Sequence, residues 1–165
     1  MPWIKPVKQK EMKELQINGN IPEPSPLFDR LLANDPSIYE AFLPLQKAIK
    51  ETDLPDDLRE AVITFVSMKN GCQYCTESHS KLLQDYVNVN DVKEWLQDYP
   101  QSTMSEEWKA VLSYADKLIA KPVEVTKEDV ERLSESGYTP KQISQINQTV
   151  AYTSYTNQLS IGLGL

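Results

Sequence analysis

From Leu27 onward apolar residues recur three and four positions apart: Leu27 and Phe28 with Leu31 and Leu32, then Ile38, Tyr39, Phe42, Leu43, Leu45 and Ile49. That spacing returns side chains to one face of an α-helix, so it predicts two amphipathic helices. Pro44 lies inside the second run and predicts a kink or an early break, because it removes a backbone donor and crowds the preceding turn. The stretch from Pro55 to Lys69 differs. Leu58, Ala61, Val62, Ile63, Phe65, Val66 and Met68 make it apolar almost all round, as expected of a buried helix. Glu60, Thr64 and Ser67 interrupt it, four and three apart, as a polar stripe along one edge.

Asn70-Gly71 is a stop signal, and residues 72–87, with Leu82, Leu83, Tyr86 and Val87, read as the next helix. These two helices would form a hairpin with a very short turn. A shorter helix follows from Asn90 to Leu96, ended by Pro100. A longer one runs through Trp108, Val111, Leu112, Ala115, Leu118 and Ile119 and stops before Pro122. Thr126 with Asp129 marks the start of a helix over 127–136 that Gly137 ends. In Thr139-Pro140-Lys141-Gln142, Thr is at the cap, Pro at the first helical position and Gln at the capping-box position of a final helix carrying Ile143, Ile146, Val150, Thr153 and Leu159. Ahead of all this, residues 8–15 suit a short helix, and Pro22, Pro24 and Pro26 make 17–26 an extended connector. No alternating run of strand length occurs. The pattern is all-α, with an N-terminal arm and proline-rich connector over 1–26 and one helical domain over 27–165.

A chain of 165 residues is long enough for one domain with a sizeable core. Its 24 acidic and 17 basic residues give a formal charge of −7, which argues against a nucleic-acid partner. No stretch approaches the roughly 20 apolar residues that span a bilayer, and Met1-Pro2-Trp3-Ile4-Lys5-Pro6 lacks the apolar segment of a secretion signal. The expectation is a cytoplasmic protein with no membrane partner.

The chemistry concentrates in one segment. The chain has two cysteines and one histidine, and all three fall within Cys72-Gln73-Tyr74-Cys75-Thr76-Glu77-Ser78-His79. On a helix, positions 72, 75 and 79 share an arc of roughly 60°, so both sulfurs and the imidazole can interact. A helix N-terminus favours thiolate, and Cys72 gains most from it. His79, one turn after Cys75, is in reach of that thiol's proton. Glu60 lies about 15 Å from the hairpin bend and His79 about 10 Å at 1.5 Å per residue, so the two sit at comparable depth and the carboxylate can orient the imidazole. Two Cys, one His and one Glu also form a possible zinc shell, but three of those ligands would come from one helical face, and structural sites usually draw ligand pairs from separate loops. Neither a metal nor an organic cofactor is the expectation. A thioredoxin-like fold needs a strand leading into the motif, and here a helix precedes it. Plain packing of two small buried cysteines is the bland alternative.

Arg59-Glu60 followed by Ser67-Met68-Lys69-Asn70-Gly71-Cys72-Gln73-Tyr74-Cys75-Thr76-Glu77-Ser78-His79 resembles the core signature of alkylhydroperoxidase D-like (AhpD-like) proteins of the carboxymuconolactone decarboxylase superfamily. Ala115-Asp116-Lys117-Leu118, Pro122, Val125-Thr126, Asp129-Val130, Leu133 and Gly137-Tyr138-Thr139 resemble the downstream segments of its peroxidase-related branch. The resemblance implies an all-helical fold, a homo-oligomer with the redox site near a subunit interface, a peroxide or disulfide substrate, and an external dithiol reductant. By the family pattern Cys75 attacks peroxide, Cys72 resolves the sulfenic acid to a Cys72–Cys75 disulfide, and Glu60 and His79 relay protons. The chain departs from that pattern at Tyr74, where well-characterised members carry a second histidine. A phenol with a pKa near ~10 carries protons poorly at neutral pH but still hydrogen-bonds. Disulfide reduction or redox sensing with negligible turnover would tolerate that change better than peroxidase chemistry. Lactone decarboxylation, which does not depend on a cysteine pair, ranks lower.

Overall fold

The computed structural model describes residues 1–165, and all of its regular structure is helical. In chain order the elements are α1 (Gln9–Met12), α2 (Leu27–Leu32), α3 (Pro36–Lys50), α4 (Asp56–Lys69), α5 (Gln73–Gln84), α6 (Val92–Gln97), α7 (Glu106–Ile119), α8 (Lys127–Glu135) and α9 (Pro140–Gly162). They are divided between two compact units. One comprises Met1–Thr52 with Leu159–Leu165 and so contains the whole proline-rich arm; the other comprises Asp53–Gln158.

In the first unit Met12, Leu31, Tyr39, Phe42 and Ile49 are buried, and Phe42 meets the edge of Phe28 with ring centroids 6.0 Å apart. Besides buried Met12, polar contacts tie the arm. Gln9 Nε2 donates to the Ser25 carbonyl at 2.6 Å, the Ser25 amide donates back to Gln9 Oε1 at 3.0 Å, and Arg30 Nε donates to the Val7 carbonyl at 2.6 Å. The early break expected at Pro44 does not occur, since α3 runs through it for 15 residues. Pro44 is exposed, where water can serve the carbonyl it frees, and buried Phe42, Leu43 and Ile49 anchor the helix on both sides of it. Ile38 and Leu45, which periodicity assigns to the apolar face, are exposed. At 100° per residue they fall just outside the arc of Tyr39, Phe42, Leu43 and Ile49.

The second unit is built around α4. Every residue from Leu58 to Ser67 is buried, as the all-round apolar pattern predicts. Leu58, Val62, Phe65 and Val66 join Val111, Leu112, Ala115, Leu133 and Ile146 in one core. Tyr99 packs edge-on to Phe65 at 5.4 Å. The helix starts follow sequence chemistry closely. Asp91 Oδ1 accepts the Lys93 and Glu94 amides, Thr126 and Asp129 form a capping box, and Thr139 Oγ1 accepts the Gln142 amide while Gln142 Oε1 accepts the Thr139 amide. Two boundaries shift. Pro55 caps α4 rather than opening it, and α5 ends at Gln84, short of exposed Tyr86.

Candidate redox site

The site is organised by the junction of α4 and α5. The Cys72 amide donates to the Ser67 carbonyl at 3.0 Å and the Gly71 amide to the Met68 carbonyl at 3.1 Å, with Gly71 in the left-handed region at φ +74°. This is a Schellman ending, which places glycine where an L side chain would be strained and satisfies two carbonyls that the helix end leaves open. Cys72 ends that motif and is at once the N-cap of α5, its Sγ accepting the Cys75 amide at 3.3 Å. The expectation that Cys72 lies inside the helix is thus corrected. Its backbone is extended, and one residue serves both helices.

Cys72 and Cys75 are joined by a disulfide, with Cα atoms 5.3 Å apart. Both residues are buried, Cys72 at 0% and Cys75 at 8% accessible, so Cys75 is the one nearer solvent. His79 Nδ1 lies 2.7 Å from Glu60 Oε2, the carboxylate side chain 11% exposed and the imidazole 32%. A carboxylate only accepts, so the proton of that bond sits on Nδ1 and Nε2 is left as the basic nitrogen. Tyr74 sits half-buried in the first turn of α5 between the cysteines. The structure thus brings Glu60 to His79 and Cys72 to Cys75 on one hairpin.

Residues 36–96, which include all of these side chains, match the model of the carboxymuconolactone decarboxylase family. Among solved structures, the alkylhydroperoxidase AhpD core of a peroxidase-related protein from Ralstonia eutropha superposes with a TM-score of 0.74 at 26% identity, covering 82% of this chain and 73% of that one. Over these residues and in its fold the chain is similar to AhpD-like proteins of the carboxymuconolactone decarboxylase family. A peroxidase-related protein from Silicibacter sp. shares the fold at TM-score 0.81 and 20% identity, over 98% of this chain and 86% of that one. So does the debrominase Bmp8 in complex with 2,3,4-tribromopyrrole, at TM-score 0.83 and 20% identity, over 98% and 89%. No curated protein matches this chain in sequence.

The hairpin of α4 and α5 is also braced from α9, a contribution that the sequence reading missed. Asn157 Nδ2 donates to Ser67 Oγ at 3.0 Å, and its Oδ1 accepts from Asn70 Nδ2 at 3.0 Å. Asn70 Nδ2 also reaches Ser154 Oγ at 3.2 Å. The network is buried around Ser67, whose carbonyl holds Cys72. Asparagine spacing on α9 gives no hint of it, because a polar residue late in a long helix normally reads as solvent-facing.

Proposed function

We propose that this chain is a thiol-dependent peroxidase and disulfide oxidoreductase that cycles through the Cys72–Cys75 disulfide. One observation carries the reading: a cysteine pair of unequal access stands on the helix whose histidine is held by a buried carboxylate. Similarity to this family supports redox or related enzymatic chemistry in general, and the pair of sulfurs narrows it.

In the reduced state His79 Nε2 takes the Cys75 proton, directly or through a water, and the thiolate attacks a peroxide oxygen. The O–O bond breaks, the departing alkoxide takes the proton from His79 and leaves as alcohol, and Cys75 becomes sulfenic acid. Cys72 then attacks Cys75 Sγ, the S–O bond breaks, and the hydroxyl leaves with the Cys72 proton as water. To reset the pair, a dithiol attacks Cys75, the less buried residue of the two, and Cys72 leaves as thiolate, held by the Cys75 amide. The donor's second thiol displaces Cys75 and the donor departs as its own disulfide. Across the cycle the dithiol loses two electrons and the peroxide gains them.

This mechanism uses no metal or organic cofactor. Tyr74 acts as a hydrogen-bonding neighbour rather than a proton carrier, which favours slow peroxide turnover over fast. An external dithiol, a cytoplasmic setting and assembly of several copies belong to the same reading. The test is steady-state consumption of hydrogen peroxide and an alkyl peroxide with dithiothreitol as donor. Cys72→Ser should accumulate a trappable sulfenic acid on Cys75, while Cys75→Ser should leave Cys72 comparatively unreactive. A single oxidation with no turnover would instead favour a redox-responsive binding protein, and near-stoichiometric zinc in chelator-free protein would favour the metal reading.

A further inference from the structure

Thr64 is fully buried on α4, and its hydroxyl has no hydrogen-bond partner. Buried hydroxyls on helices commonly donate to the carbonyl four residues back, and Ser80, Thr149 and Thr153 of this chain do so. Thr64 does not. Native structures seldom leave such a group unpaired without a reason.

Its place in the hairpin supplies one. Glu60 of α4 meets His79 of α5, and the Ser67 carbonyl of α4 meets the Cys72 amide that opens α5. The two helices run antiparallel, so four residues forward from Glu60 and four back from His79 bring Thr64 opposite Cys75. Three more in each direction reach Ser67 and Cys72, the second observed pairing. Glu60, Thr64 and Ser67 share one face of α4; on it Glu60 reaches His79 of α5 and the Ser67 hydroxyl reaches Asn157 of α9.

We infer that Thr64 is a hydrogen-bond donor reserved for the reduced state: its Oγ1–H donates to the Cys75 thiolate once the disulfide opens. The inference rests on the reading of Cys75 as the reacting thiol. A disulfide sulfur is neutral and a weak acceptor, whereas a thiolate is charged and draws a hydroxyl strongly. The unpaired hydroxyl of the oxidised form is therefore the expected counterpart of a bond made after reduction. The charged groups on the same side are Glu60 of α4 and His79 of α5, paired with each other, and Arg59 of α4 is engaged with Asp56. Glu77 and Lys81 of α5, with Asp91 and Lys93 beside α6, line a groove on the far side of α5 by helical rotation. The arrangement also reconciles two pulls on the pair. Cys72 is served by the amide at the start of α5, and Cys75, which has no such amide, is served by Thr64.

The test compares Thr64→Val, which keeps shape but removes the hydroxyl, with Thr64→Ser, which keeps the hydroxyl. In a Cys72→Ser background, thiolate absorbance against pH should show Thr64→Val raising the Cys75 pKa by about one unit or more, with Thr64→Ser close to the parent. In the chain with both cysteines, equilibration with dithiothreitol buffers should show Thr64→Val shifting the potential of the pair to more negative values. If a folded Thr64→Val variant leaves both quantities unchanged, the inference is overturned. If Cys72→Ser alone yields no sulfenic acid on Cys75, the peroxidase reading fails, and the potential of the intact pair still decides the role of Thr64.

Discussion

Asn157 and Ser67, 90 positions apart in sequence, meet through a 3.0 Å hydrogen bond in the interior of the second unit. Asn157 also accepts from Asn70, so one side chain on α9 holds the last turn of α4, which leads into Cys72. Replacing it with alanine strands Ser67 Oγ and part of the Asn70 amide in a buried setting. Asn157→Ala should lower stability by about 1–3 kcal/mol, read from denaturant unfolding of the oxidised protein. A variant as stable as the parent would mean that the bond adds nothing to the hairpin.

Gly71 is needed for its backbone and not for its lack of bulk. Its φ is +74°, and an added Cβ would meet nothing within 4 Å. Gly71→Ala should therefore destabilise by about 1 kcal/mol through left-handed strain alone, and Gly71→Asn by less, because asparagine tolerates that region better. Equal losses for the two substitutions would point to a steric cause instead.

Glu60→Gln preserves size and an accepting oxygen but removes the charge that sets the tautomer of His79. Stopped-flow oxidation of Cys75 should slow by about 100-fold, the low end for losing general-base support. An unaltered rate would remove Glu60 from the relay.

Acid should weaken the start of α8. Lys117, 2.5 Å from Asp129, holds that carboxyl below the usual carboxylate range, with the Thr126 amide and hydroxyl adding to the effect against burial. A depressed folded pKa stabilises above the unfolded value near ~4 and is lost as pH falls through the folded value. The stability difference between the parent and Asp129→Asn should thus be flat from about pH 5 to 7 and shrink in more acidic solution. A difference that persisted unchanged into strong acid would contradict the ionised pairing.

Much of this was legible in the sequence because the relevant physics is local. Thr139, Pro140 and Gln142 announce the start of α9 through capping chemistry confined to four residues, and Asn70-Gly71 announces the end of α4 the same way. The meeting of Glu60 with His79 followed from rise per residue once a tight hairpin was assumed. What escaped was tertiary. The Glu60, Thr64 and Ser67 stripe read as an edge, and all three residues are buried. Asn157 carried no local signal, because its partners lie on another helix. The passage of α3 through Pro44 depends on packing and on solvent access to a freed carbonyl, neither of which is written at the proline itself.

Because Cys72 finishes one helix and begins the next, the bracket joining the sulfurs to the acid–imidazole couple has no slack. Inserting or deleting a single residue between Ser67 and Cys75 would swivel α5 by about 100° about its axis and swing His79 off Glu60. Length, more than side-chain identity, is what this corner of the chain has least freedom to vary.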